Sequence, residues 1–157
     1  MAKKAKSKKT LVEQILTKAG IEHNGVSINA LTENCLLPDR SQIYKTLALK
    51  GDKTGPIIGV VPITEHLSEK KLAKASGNKK VSMIPQKDLE KTTGYIHGAN
   101  NPVGIRQKHS FPIYLDQAAI ERETILVSAG ELGRSIEIAP KALADFVQAT
   151  FADLLED

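Results

Sequence analysis

The chain of 157 residues has no tryptophan, three phenylalanines and three tyrosines. Its core must therefore be mostly aliphatic, and any nucleic-acid surface is poor in aromatic rings on which bases could stack. One cysteine, Cys35, rules out an internal disulfide. With no base written beside it, Cys35 reads as a small, partly buried hydrophobe and not as a nucleophile. No apolar run reaches membrane-spanning length and there is no secretory h-region, so the lone cysteine predicts a reducing, cytoplasmic setting.

Motifs for chemistry are equally scarce. His23, His66, His97 and His109 are scattered, without H-E-x-x-H or a Cys/His cluster, so neither a metal nor another cofactor is expected. No G-x-x-x-x-G-K-[ST] or G-x-G-x-x-G follows a strand, and no G-x-S-x-G surrounds Ser128. The carboxylate pairs Glu121/Glu123 and Glu156/Asp157 fall in highly polar segments and are expected to be solvated. If this is an enzyme, it shows no evident nucleophile and base.

What is present is 41% hydrophobic and 25% charged residues, the composition of one ordinary soluble domain. The net charge of +4 is unevenly placed: residues 1–10 hold five lysines and no acid, leaving 17 basic against 18 acidic residues elsewhere, a balance of −1. Residues 1–9 read as a disordered lysine-rich arm ahead of a single domain at 10–157. The arm is either a solubilising tail or a source of sequence-independent attraction to a polyanion such as RNA.

Thr10 is a plausible N-cap for a helix over Leu11–Ala19 that Gly20 closes. Residues 21–37 are ambiguous, with Val26-Ser27-Ile28 a possible strand, and Pro38 to Ser41 reads as a turn or the start of a helix. Ser41 to Leu49 is a core-directed strand that carries Lys45, joined by a turn over Gly51–Gly55 to a second apolar run, Pro56–Ile63. Lys45 either points to water or lays its stem along apolar surface with the ammonium at the rim. Ser68 caps a helix to Ala75 that Gly77 ends; Lys70, Lys71, Lys74, Lys79 and Lys80 make its surroundings basic, as a solvated face or a nucleic-acid contact. Val81–Ile84 is a short strand and Pro85–Thr93 a short helix ending at Gly94.

The stretch Thr93 to Gly104 is read as a loop with three glycines, adjacent asparagines and a proline. Such a loop can approach a ligand closely and present backbone N–H groups to it, or be an ordinary surface turn. Pro112–Leu115, Thr124–Val127 and Ser135–Ile138 read as strands, with Ser128 to Gly133 a turn before the last. From Pro140 an amphipathic terminal helix is predicted to run through Leu143, Phe146, Val147, Thr150, Phe151, Leu154 and Leu155. The order is that of an α+β fold with a mainly antiparallel or mixed sheet.

The sequence of Tyr44-Lys45-Thr46-Leu47, Lys79-Lys80-Val81, Thr93-Gly94-Tyr95 with Gly98-x-x-x-Pro102, and Val127-Ser128-Ala129-Gly130 with Ile136-Glu137-Ile138 resembles the YbaK/EbsC family of aminoacyl-tRNA deacylases. These are relatives of the editing domain inserted in bacterial prolyl-tRNA synthetases. The likeness runs from about Leu11 to Leu155. It implies a mixed, mainly antiparallel sheet curled into a partly open barrel with flanking helices. It also implies hydrolysis of a wrong amino acid from the tRNA 3′ end, chiefly cysteine mischarged onto tRNA for proline, with mischarged tRNA and a prolyl-tRNA synthetase as partners. On that resemblance the essential lysine is Lys45 and the substrate loop is Gly98, Ala99, Asn100, Asn101 and Pro102. Tyr44, Thr46, Ser128, Ala129 and Gly130 form the other pocket walls. The chain departs from the family pattern in a shorter segment between Ile28 and Pro38, in Ile28 where a tyrosine is frequent, and in Ser135 where an aspartate is common. These changes bear on the accepted amino acid. Two other readings stay open: a deacylase for another amino acid such as alanine, and a non-catalytic module that binds a nucleotide or tRNA end.

Overall fold

The computed structural model describes residues 9–27 and 40–157. Cys35, Ile28 and most of the N-terminal arm lie outside them. The strands are β1 (His23–Ser27), β2 (Tyr44–Gly51), β3 (Gly55–Pro62), β4 (Val81–Met83), β5 (Ile113–Asp116), β6 (Ile125–Glu131), β7 (Arg134–Ile138) and β8 (Thr150–Ala152). The helices are α1 (Leu11–Ala19), α2 (Glu69–Ser76), α3 (Gln86–Thr93), α4 (Pro102–Lys108) and α5 (Pro140–Val147). The strands form two sheets, one of order β1-β7-β6 and one of order β4-β2-β3-β5-β8. Pairing is antiparallel except along β3-β5 and β5-β8, so the fold is α+β with one antiparallel and one mixed sheet.

Local chemistry explains the first elements. Thr10 Oγ1 accepts from the Glu13 N–H at 3.2 Å while the Glu13 carboxylate accepts from the Thr10 N–H at 3.3 Å, a reciprocal cap that starts α1. Gly20, at φ 76°, ends it. The turn between β2 and β3 is clamped from outside: Asn78 Oδ1 accepts from the Lys53 and Thr54 N–H groups at 2.7 and 3.1 Å, and Asp52 Oδ1 from those of Lys79 and Lys80 at 2.8 and 2.9 Å. The backbone around Lys79 and Lys80 is thereby fixed. Lys71, expected on the basic face, instead bonds Asp153 and Asp157 at 3.1 and 3.0 Å.

Period-two alternation in β2 divides the interior. Tyr44 and Ala48 join Ile58, Val60, Ile125 and Ile136 in the larger core, which α1 and α5 cover. Leu49 joins Ile57, Val61, Leu72 and Leu154 under α2. Each buried aliphatic side chain of this kind contributes roughly 1.5–3 kcal/mol relative to exposure.

Three sequence expectations are corrected. The predicted terminal helix stops at Val147, because Gln148 turns left-handed at φ 59° and Ala149 N–H bonds Ala144 O at 2.8 Å. The residues after it pair with β5 as β8, and Leu155 bridges Leu67. Within the expected loop after Thr93, α4 begins at Pro102, capped by Asn101 Oδ1 on the Gly104 N–H at 2.5 Å. Ser128 to Gly130 is not a turn but the end of β6, where the register shifts between Ser128 and Glu131.

The edge of β2 that faces away from β3 is covered at both ends only. Ile43 bridges Leu126 of β6 in parallel, and β4 pairs with Leu49, Lys50 and Gly51, with Ile84 N–H bonded to Ala48 O at 3.1 Å. Among the described residues no strand pairs there with Lys45, Thr46 or Leu47. The opening in the sheet surface lies at that gap.

Candidate active site

A cavity of about 590 Å³ fills the gap between β4 and β6. Ile43 to Ala48 form one wall, His97, Gly98 and Asn100 a second, and Ser128, Glu131 and Gly133 to Ser135 a third, over an apolar floor of Met83, Ile84 and Leu89. Lys45 is half-buried in it, and among the described residues no hydrogen bond or ion pair engages its ammonium. Thr46 Oγ1 and Asn100 Oδ1 are buried without partners.

The expected site residues divide into two groups. Lys45, Thr46, Gly98, Asn100 and Ser128 line the cavity, and Tyr44 touches it while its ring sits in the core at 3% exposure. Ala99, Asn101, Pro102, Ala129 and Gly130 do not line it. Ala99 and Ala129 are buried, Asn101 caps α4, Pro102 is its first residue, and Gly130 closes a bond from its N–H to Ser128 Oγ at 3.1 Å. Gly98 adopts φ 91°, a left-handed conformation that favours glycine at this point of the cavity wall.

Sequence reasoning missed Arg134 and Glu13. Glu13 is 2% exposed and accepts from Arg134 Nε and Nη2, both at 2.9 Å. Burial would raise the Glu13 pKa, but the guanidinium and the Thr10 N–H outweigh it and hold the carboxyl below its ordinary value. Gly25 passes directly over the pair, where a Cβ would collide with both side chains. The spacing of Glu13 after Thr10 was a legible capping signal; its partner 121 positions away was not.

A second cavity, of about 750 Å³, lies beyond Tyr44 and is lined by Gln42, Glu65, Glu121, Arg122, Glu123 and Glu137 among others. Part of its polar lining is engaged: Gln42 Nε2 donates to Thr124 Oγ1 at 2.9 Å, Thr124 Oγ1 to Glu137 at 2.9 Å, and Arg122 to Ser41 Oγ. Burial, then the charge of Asp116, pushes the Tyr44 hydroxyl up to about 12 against the opposing effect of Arg122, so it stays protonated near neutral pH and cannot serve as a base.

The sequence profile of the aminoacyl-tRNA editing domain matches residues 22–146. The chain belongs to this family. The editing domain is 47% identical over 116 residues, 74% of this chain and 70% of the other, to a protein of Enterococcus faecalis (strain ATCC 700802 / V583) named "Putative Cys-tRNA(Pro)/Cys-tRNA(Cys) deacylase EbsC". The enzyme class expected from the sequence agrees with that name. Among solved structures, one titled as a putative trans-editing enzyme for prolyl tRNA synthetase superposes with a TM-score of 0.77 at 22% identity, covering 93% of this chain and 95% of that one. Another, titled as hypothetical protein APE2540, gives 0.80 at 21% identity over 92% and 99%. At these identities the two structures speak for the fold alone. Among the described residues, no group of three or more His, Cys, Asp or Glu could hold a metal ion, and no helix is long and apolar enough to cross a membrane.

In the editing domain's smaller cavity Lys45, the Gly98 and Asn100 N–H groups and the Thr46 and Ser128 hydroxyls are able to act on an ester, with the solvent-exposed His97 and Glu131 at the margin. Such an arrangement can bind, orient and stabilise developing negative charge.

Proposed function

We propose that this editing domain deacylates mischarged tRNA in trans, with Cys-tRNA(Pro) as the preferred substrate, in the cavity beside Lys45. The observation that carries the reading is Lys45 itself: a half-buried lysine with no partner among the described residues, set where the edge of β2 away from β3 carries no strand, within an aminoacyl-tRNA editing fold. The name of the Enterococcus faecalis relative supports the substrate. In this reading the two sheets, joined where Ile43 meets Leu126, wall a partly open barrel. The tRNA 3′ end reaches Lys45 through the opening, and a prolyl-tRNA synthetase is the source of the mischarged substrate.

Lys45 neutralises a phosphate or hydrogen-bonds the terminal ribose, and the Gly98 and Asn100 N–H groups stabilise the carbonyl oxygen as charge develops on it. The nucleophile comes from the substrate. The cysteinyl sulfur attacks its own ester carbonyl, a C–S bond forms, the C–O bond to the ribose breaks, and the thiol proton ends on the released ribose oxygen. The product is a cyclic thioester that water opens. Loss of a single donor to such an oxyanion costs on the order of 10²–10³ in rate in other enzymes, so a site without an acid–base pair can still be catalytic.

The test is side-by-side hydrolysis of Cys-tRNA(Pro), Cys-tRNA(Cys) and Ala-tRNA(Pro). Rapid release of cysteine and slow release of alanine is the expected result, since alanine has no thiol to attack with. Equal rates point to an activated water and an alanine-accepting site, and no release above the uncatalysed rate with any of them removes the deacylase reading.

A further inference from the structure

Of the polar side chains that line the Lys45 cavity, Gln86, His97 and Glu131 are exposed to solvent, while Thr46 and Asn100 hold buried atoms that no protein group among the described residues satisfies. Lys45 and Arg134 can only donate. Ser128 Oγ already accepts from the Gly130 N–H, and the Thr46 hydroxyl can turn either way. The Glu131 carboxylate is at the solvent-exposed end of β6. Asn100 differs from all of these. It is 6% exposed, and its Nδ2 donates to Ile96 O at 3.3 Å, which leaves the oxygen as the free end of the amide. That Oδ1 has neither a protein partner nor contact with solvent. A buried carbonyl acceptor without a donor is unfavourable, and folded proteins keep few of them.

An aminoacyl ester brings one group that donates and cannot accept, its α-ammonium. Lys45 repels that charge, and Arg134 is already held by the Glu13 carboxylate, so the ammonium requires a neutral or anionic acceptor away from solvent competition. We infer that Asn100 Oδ1 receives the α-ammonium of the esterified amino acid, a small swing about the soft χ2 torsion turning the oxygen toward the cavity. The inference rests on the deacylase reading and supplies the orientation that reading needs. With the ammonium held at Asn100, the carbonyl and ribose oxygens, which accept, face the donors Lys45 and the Gly98 loop. An amino acid whose amino group is acylated then loses the contact and leaves the acceptor buried.

The test uses the full chain and two non-hydrolysable probes: 3′-deoxy-3′-(L-alanylamino)adenosine with its α-amino group free, and the same compound N-acetylated. Binding is measured by isothermal titration at about pH 6.5, where an α-amino group of ordinary pKa near 7.7–8.0 is protonated. The free amine is expected to bind on the order of 10–100-fold tighter, the range for a hydrogen bond to a charged group. In Asn100→Leu the ratio falls to about 1 with the acetylated probe still bound, whereas a purely structural role would weaken both probes together. Asn100→Asp retains the preference for the free amine. Equal affinity in the wild type, binding of neither probe, an unchanged ratio in Asn100→Leu or a ratio near 1 in Asn100→Asp each overturns the inference. If Asn100→Leu fails to fold, the wild-type and Asn100→Asp ratios decide. Amine discrimination without hydrolysis of any mischarged tRNA removes the deacylase reading alone; hydrolysis without discrimination removes the role of Asn100 alone.

Discussion

Tyr44 and Lys45 are neighbours in β2, yet the cavities they border differ in charge. Beyond Tyr44, the larger cavity of about 750 Å³ sets Glu65, Glu121, Glu123 and Glu137 against Arg122. Beside Lys45, the smaller one of about 590 Å³ sets Lys45 and Arg134 against Glu131 over an apolar floor. An acylated RNA end brings phosphates and an ester oxygen that gains negative charge as it reacts. The first cavity repels both and the second attracts both. Volume points to the first; the sign of the charge and the donors left free point to the second, where the proposed reaction is placed.

Charge removal should therefore separate the two sides of β2. Lys45→Met is expected to lower single-turnover deacylation of Cys-tRNA(Pro) on the order of 10²–10³, with a nearly unchanged melting temperature. Glu123→Gln, in the larger cavity, should leave the rate within about twofold, because charge-neutralising changes at a solvated site are close to silent. A large loss in Glu123→Gln would blur the contrast on which the assignment rests.

Next in size is the pair that supports Arg134. Glu13→Ala leaves a partly buried guanidinium without its carboxylate and should destabilise by about 3 kcal/mol in denaturant unfolding. The pH dependence follows from the lowered Glu13 pKa. A carboxyl that ionises more readily folded than unfolded adds stability that is complete above the unfolded value, about 4.5, and is lost as pH falls through the lower folded value. The stability difference between wild type and Glu13→Gln should thus shrink below about pH 4.5. A difference that stays constant to pH 2 would show that the ion pair is not its source.

Smaller effects sharpen the same contrast. Tyr44→Phe deletes a buried hydroxyl that has no partner, so stability should change by less than about 1 kcal/mol and deacylation hardly at all. A strong loss of activity would place the hydroxyl at the reacting end after all. Removing residues 1–9 should raise KM a few-fold at low salt and not at high salt, if the arm's lysines contact phosphate. A salt-independent KM would make the arm a solubilising tail.

Elements governed by local chemistry were legible in the sequence. The Thr10 cap, the Gly20 stop, the β2–β3 hairpin and α2 with its Ser68 cap all appear where residue types called for them. The end of the chain was not. Leu154 and Leu155 keep helical spacing by coincidence, while Asp116 Oδ1, from 38 positions away, takes the Leu154 N–H at 2.9 Å and draws the segment onto β5. The α4 start carried an overlooked signal, an Asn-Pro pair matching an N-cap and a first-turn proline. In the cavity, Lys45, Thr46, Gly98 and Asn100 were visible as ordered motifs. Arg134 was not, because nothing near it in the chain announces Glu13. A gap in strand pairing along one edge of β2 likewise leaves no trace in periodicity.

The most direct test of the assignment is a backbone amide NMR titration of the full chain with 3′-deoxy-3′-(L-alanylamino)adenosine. Saturable shifts centred on Lys45, Thr46, Gly98 and Ser128, with Glu121 to Thr124 unmoved, are the predicted result. Shifts centred on Glu121 to Thr124 with Lys45 and Gly98 unmoved would contradict it.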